Sequence, residues 1–208
     1  MITFKQFLSE QEALSFAVLI RRDCKQFLEE SEYGGFILRG VKGLSDIESH
    51  TALDAEGNEM EYGIKTVRQD RKPLDFTLLR SEILDEWFND KFGIRARSQC
   101  MFAGGNRITT AELKHYGTPC VVFPIGAFKY VWSPEVGDLY GKMNIPWGDK
   151  TSEQWTEEAR AWLDKQHYQT DGLAQAVKTN NEIMIKCDRY YAFPIEYQEQ
   201  MKQALGFA

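Results

Sequence analysis

The sequence predicts an α+β fold. Helical and strand-like stretches mix along the chain without the regular strand–helix alternation of a doubly wound parallel sheet. No GxGxxG follows a strand, which argues against a dinucleotide-binding βαβ unit, and the P-loop pattern is missing. The 208 residues are 43% hydrophobic and 27% charged, an ordinary globular composition that can bury a sizeable core. That length suits one domain at residues 11–208 with an N-terminal helix, preceded by a short appendage at residues 1–10.

The elements follow in order. Leu14, Val18, Ile20, Cys24, Phe27 and Leu28 recur at helical spacing, which predicts an amphipathic helix over 11–31 ended by Tyr33-Gly34-Gly35. Phe36-Ile37-Leu38 opens a short strand, and the polar stretch 42–63 reads as a loop or ragged hairpin. A strand over Tyr62 to Val67 leads into the basic segment Arg68-Gln69-Asp70-Arg71-Lys72-Pro73. Leu79, Ile83, Trp87 and Phe88 line one face of a helix from Thr77 to Lys91, stopped by Gly93. A strand over Arg95–Phe102 comes next, then the turn Ala103-Gly104-Gly105-Asn106 and a short helix near Thr109–His115. Cys120 to Ile125 is an apolar core strand, and 127–150, rich in aromatics, Gly and Pro, suggests a long ordered loop. Thr151-Ser152-Glu153-Gln154 is a capping box that opens a helix with Trp155, Ala159 and Trp162 on one face. A short helix at 171–178, strands Glu182–Cys187 and Tyr190–Phe193, and a helix from Ile195 to Leu205 complete the chain.

Composition excludes several functions. A net charge of −6 argues against a general nucleic-acid binder, although it permits local basic patches. No apolar run approaches the roughly 20 residues that span a bilayer, so no membrane partner is expected. The start, MITFKQFLSEQEA, has no long apolar stretch and does not read as a secretory signal. Cys24, Cys100, Cys120 and Cys187 are scattered without a CxxC pair, and His50, His115 and His167 are isolated, so no metal spacing is present. These cysteines read as reduced thiols of a cytosolic compartment, several of them core filler, with a Cys/His nucleophile pair as the alternative.

Chemistry is carried by polar residues placed where buried strands are normally apolar. Arg39 lies in GGFILRG, Arg97 and Ser98 in RARSQCMFAGG, and Glu182 in NNEIMIKCDRYYAF. A guanidinium, a hydroxyl and a carboxylate brought together from separate strands would form a cleft for an anionic, ribose-bearing ligand. Each also has a plainer explanation. Arg39 beside Gly40 and Glu182 at a strand start suit solvated strand ends, Arg97 and Ser98 the outward face of an alternating strand, and Arg68, Arg71 and Lys72 a solvated loop, although this strongest basic cluster also suits phosphates of NAD or of a nucleic-acid acceptor.

In order along the chain, LRG at 38–40, RARSQCMFAGG and NNEIMI resemble the three signature strands of ADP-ribosyltransferases of the arginine–serine–glutamate clade. They are most like the divergent members of tailed bacteriophages. The resemblance implies a split β-sandwich of mixed or antiparallel strands with flanking helices, and NAD as substrate. Carried over by position, Arg39, with Gly40, would hold the phosphates or the adenosine ribose. Glu182 would be the catalytic carboxylate beside an oxocarbenium-like ribose. Arg97 and Ser98 would stand for the middle motif, and Phe102 or Tyr130 would stack on nicotinamide. Two departures stand out: Ala103-Gly104-Gly105 replaces the expected hydroxyl cluster after Phe102, and Asn180 replaces the acid that helps select arginine as acceptor. The acceptor implied is a host protein or a nucleic acid. MITFKQFLSE is similar to the capsid-targeting peptides of internal head proteins in T-even-like phages, which a prohead protease cuts after a Leu-x-Glu triplet such as Leu8-Ser9-Glu10. Leu28-Glu29-Glu30 is a second such triplet. Together these features imply a protein of the virion interior or the host cytoplasm. Two other expectations stay open, an inactive internal head component with the same fold and a nucleic-acid-modifying enzyme that uses the 68–72 segment.

Overall fold

In the computed structural model, residues 14–72, 77–143, 145–146 and 148–207 are described. The expectations for residues 1–10 and for the start of the first helix lie outside them. Two short helices, α1 (Phe16–Asp23) and α2 (Lys25–Glu30), replace the single helix expected over 11–31. The break falls at Cys24, whose φ of −121° leaves the helical region, and the Asp23 carbonyl accepts the Gly126 N–H instead of continuing the helix. Leu28 of the second Leu-x-Glu triplet is buried in α2.

Strand β1 (Ile37–Val41) is followed by a regular hairpin, β2 (Ser49–Leu53) and β3 (Glu59–Thr66), where a loop or ragged hairpin was expected. Asp54 organises its turn by accepting the Glu56 and Asn58 N–H groups at 2.9 and 2.8 Å. Helix α3 (Leu78–Phe92) is capped by Thr77 and ends on Gly93 at φ 66°, the left-handed stop expected there. The strand expected over Arg95–Phe102 is corrected. Its first half is a one-turn helix, α4 (Ala96–Gln99), and only β4 (Met101–Gly104) is extended.

Helix α5 (Thr110–Lys114) has a capping box of Thr109 and Glu112, and β5 (Thr118–Ile125) is the expected core strand. The expected loop at 127–150 contains a strand, β6 (Lys129–Trp132), and a one-turn helix, α6 (Leu139–Lys142). The capping box read at Thr151 and Gln154 opens α7 (Ser152–Leu163). There follow α8 (Leu173–Ala176), β7 (Glu182–Lys186), β8 (Arg189–Pro194), a 3-10 turn (Ile195–Tyr197) and α9 (Gln198–Leu205).

Among the described residues, eight strands join one antiparallel sheet in the order β2-β3-β8-β5-β1-β4-β7-β6. Its middle is nearly open. β1 and β5 pair over five residues, whereas β1 and β4 meet at one pair, Leu38 and Gly104. Side chains alternate across the far half as a period of two requires. Ile183 and Ile185 enter the core beneath α1 and α2, with Phe16, Phe27, Phe123 and Phe193, while Met184 enters a second core with Trp87, Phe88 and Trp155 of α3 and α7. Glu182 shares the parity of Met184, so its carboxylate belongs to the α3–α7 side of β7.

Gly40 is required by close packing. A Cβ at this position would lie 2.3 Å from the Leu113 carbonyl and 2.7 Å from the Tyr116 Cβ, so α5 could not rest against β1. Overpacking of this kind costs about 1–3 kcal/mol. Gly40→Ala is therefore expected to lower Tm by ~2–10 °C with an unchanged denaturant slope, measured by thermal and urea unfolding.

Candidate functional site

The opening between β1 and β4 is the floor of a cleft of about 710 Å³. This lies within the size range of ligand sites. Arg39, Gly40, Arg97, Phe102 and Glu182 all line it, so the early guanidinium and the late carboxylate face one cavity. Where the β1–β4 ladder stops, the Arg39 guanidinium donates to the Phe102 carbonyl and supplies the cross-strand bond that the backbone no longer makes. Across from Glu182 on β4 stands Gly104, and no side chain from that neighbour crowds the carboxylate.

Arg97 reaches the cleft from α4, not from a strand. A four-residue helix cannot satisfy its own first N–H groups. Asp85, buried in α3, does so from a distance: its Oδ1 accepts the Arg97 N–H at 2.6 Å and the Ser98 N–H at 3.2 Å. Its Oδ2 lies 3.8 Å from Arg95 Nε. With α4 fixed in this way, Arg97 Nη1 lies 3.7 Å from Glu182 Oε1, both side chains being largely buried. Ser98 does not line the cleft. Its carbonyl accepts the Arg71 N–H at 3.1 Å, so its contribution to the site is through the backbone.

Arg71 belongs to the basic cluster read as a solvated loop or a phosphate contact, and the structure turns it into the cleft. Its guanidinium is half-buried, 4.2 Å from the centre of the Phe102 ring, and Arg97 lies 4.4 Å from the same ring. Phe102 thus serves as a platform for two cations. Burial, followed by the like charges of Arg39 and Arg97, pulls the Arg71 pKa down to about 10. Arg39 Nε and Arg71 Nη1 are buried without an acceptor. The signal available in the sequence was the density of arginines, since nothing in the 68–72 pattern shows which of them turns inward.

Glu182 is pushed above the ordinary carboxylate range, mainly by burial and further by Asp138; Arg97, the Leu139 N–H and Arg71 oppose the rise. Asp138, Tyr140 and Asn180 line the same side of the cleft, Asn180 standing where the family acid was expected. Tyr130 is elsewhere. It is buried in the α1–α2 core with its hydroxyl accepting the Leu173 N–H, so it does not reach the cleft. The four cysteines are buried thiols, with burial pushing Cys120 and Cys187 up to about 12, which suits core packing and not a nucleophile. Among the described residues, no cluster of His, Cys, Asp and Glu could hold a metal ion, and no helix is long and apolar enough to cross a membrane. A depression on α7, lined by Ser152, Thr156 and Arg160, is open surface without convergent chemistry.

Comparison of the chain with protein-family models, with curated proteins and with solved structures gave no match. Two outcomes follow from the geometry of the site. Asp85→Ala leaves two N–H groups of α4 without an acceptor at a cost of about 2 kcal/mol, so Tm is expected to fall by ~4–8 °C in thermal unfolding. Occupancy of the arginine cluster by inorganic pyrophosphate should stabilise the fold, by about 2.7 kcal/mol at one hundred times the dissociation constant. The resulting upward Tm shift should shrink in Arg71→Gln, as read by differential scanning fluorimetry.

Proposed function

We propose that the protein is an NAD-dependent ADP-ribosyltransferase of the arginine–serine–glutamate type. One observation carries this reading: three arginines and one buried glutamate, from four separate segments, converge on a single cleft at the opening between β1 and β4. The strands form one eight-stranded sheet, and its single β1–β4 pair is what supports reading it as the split β-sandwich of that family.

In this reading Arg39, Arg71 and Arg97 hold the pyrophosphate of NAD, guanidinium being suited to paired phosphate oxygens. Phe102 keeps two of those cations in place, and Gly40 admits the backbone-close packing on which β1 depends. Glu182 accepts a hydrogen bond from the nicotinamide-side ribose. As the glycosidic bond breaks, its electron pair leaves with neutral nicotinamide and positive charge develops on the ribose. A fixed carboxylate in a poorly solvated site stabilises that charge strongly. The acceptor then bonds to the ribose carbon and releases its proton. Asn180 at the family's acidic position speaks against arginine as acceptor.

Direct tests are available. Wild-type protein incubated with NAD should release nicotinamide, and Glu182→Gln should slow this by about 10²–10³-fold. Absence of both NAD binding and cleavage would favour the inactive virion component instead. Because the Glu182 pKa is raised, the acid limb of kcat/KM should have its midpoint above 4.5, with activity lost as pH falls and the carboxylate becomes protonated. Stability runs the opposite way. A raised folded-state pKa contributes stability that is present below the unfolded value of about 4.3 and is lost as pH rises through the folded pKa. Glu182→Gln should therefore match or exceed the wild-type Tm at pH about 7 while lacking activity, which separates a catalytic defect from unfolding.

A further inference from the structure

The cleft holds more positive charge than a dinucleotide needs. Among the described residues seven cations line it against two carboxylates, Asp138 and Glu182, in a chain whose net charge is −6. Besides the inner arginines, the excess consists of Lys42, Lys65, Arg68 and Lys72. Lys65 is tied to the Gly43 carbonyl at 3.0 Å, whereas Lys42, Arg68 and Lys72 are exposed. NAD carries two phosphates and a cationic nicotinamide, and the inner arginines already exceed that demand. The same cleft presents two tyrosines of unusual exposure. Tyr116 is 61% exposed beside Gly40 of β1, and Tyr140, 51% exposed, follows Leu139, whose N–H donates to Glu182. Exposed cations interleaved with aromatic faces are what single-stranded nucleic acid requires, because phosphates neutralise the cations while unpaired bases stack on the rings. A nucleic acid offers one phosphate and one stacking face with every nucleotide and so meets both features along its length, whereas an acidic protein does so only where carboxylates and stacking groups alternate.

We propose that the acceptor is a single-stranded nucleic acid, its phosphates on Lys42, Arg68 and Lys72 and a base against Tyr116 or Tyr140. This rests on the transferase reading above. An exocyclic amino group of the base, or a ring nitrogen that bears hydrogen, forms a bond to the ribose carbon as the bond to nicotinamide breaks. Nicotinamide departs neutral with the bonding pair, and the attacking nitrogen loses one proton to solvent.

The experiment uses the full chain and a fluorescent single-stranded oligonucleotide of about 12 nucleotides, as DNA and as RNA, in polarisation titrations over a range of salt. Binding is expected, with a log–log salt slope near −2 for about three phosphate contacts. Replacing Lys42, Arg68 and Lys72 together by Gln should weaken binding at least about tenfold and flatten the slope. NAD cleavage should continue in that variant, showing it to be folded. With labelled NAD, label should pass to the oligonucleotide in wild type and not in Glu182→Gln. No binding, or binding indifferent to the triple substitution, overturns the proposal. Nicotinamide release with label on a host protein but none on the oligonucleotide overturns the acceptor and leaves the transferase standing. Oligonucleotide binding without NAD binding or cleavage overturns the transferase reading and the acceptor role with it.

Discussion

Like charge held together against its own repulsion is the constraint around which this molecule is built. Arg39, Arg71 and Arg97 share one cleft, and the depressed pKa of Arg71 is caused by burial and by the other two. Such a cluster persists only if the surrounding structure fixes each member. The fixing is visible. Arg39 is tied to the Phe102 carbonyl, Arg71 and Arg97 lie over the Phe102 ring, and Glu182 supplies the nearest opposite charge. One aromatic residue on a four-residue strand is thus the anchor for three cations.

The fold creates room for this cluster by interrupting its own sheet. A continuous β1–β4 ladder would fill the gap with backbone hydrogen bonds and leave no cleft. Pairing is instead limited to Leu38 and Gly104, and a side chain, Arg39, closes the next position. The opening costs ladder bonds, whereas β5 and β8 pair over six residues elsewhere in the sheet. Asp85 plays the comparable part for α4. Its carboxylate replaces the missing helix turn, so a segment too short to hold itself can present Arg97.

Much of the frame was legible in the sequence because its signals are local. The capping box at Thr151 and Gln154, the glycine stop at Gly93 and the apolar run Cys120–Ile125 each depend on neighbours a few residues away, and each appears where expected. Arg39 and Glu182 were legible for a related reason, since a charge on an otherwise apolar strand is conspicuous. The segment Arg95–Gln99 was misread because Ile94, Ala96 and the polar residues between them alternate like a strand, while the helix-forming partner, Asp85, sits on another element. Arg71 was legible only as one member of a basic cluster, because its inward turn is set by the Ser98 carbonyl and the Phe102 ring, neither of which is a sequence neighbour. What escaped detection was tertiary: partners separated along the chain by 12 residues or more.

The energetics also bear on whether the cleft is used. A carboxylate whose pKa is raised by burial and guanidiniums with buried N–H groups lacking acceptors both oppose folding. If the protein served only as packing material inside a particle, apolar side chains of similar volume at Arg71 and Glu182 would give a more stable fold with the same outline. The fold keeps the charges and adds structural effort to orient them, down to the remote cap that Asp85 places on α4. Groups that a protein holds at a cost to its stability are those a bound ligand can repay, because an anion relieves the repulsion among the arginines and, in the proposed reaction, a developing cation offsets the burial of Glu182. That reciprocity supports the proposed transferase over an inert remnant.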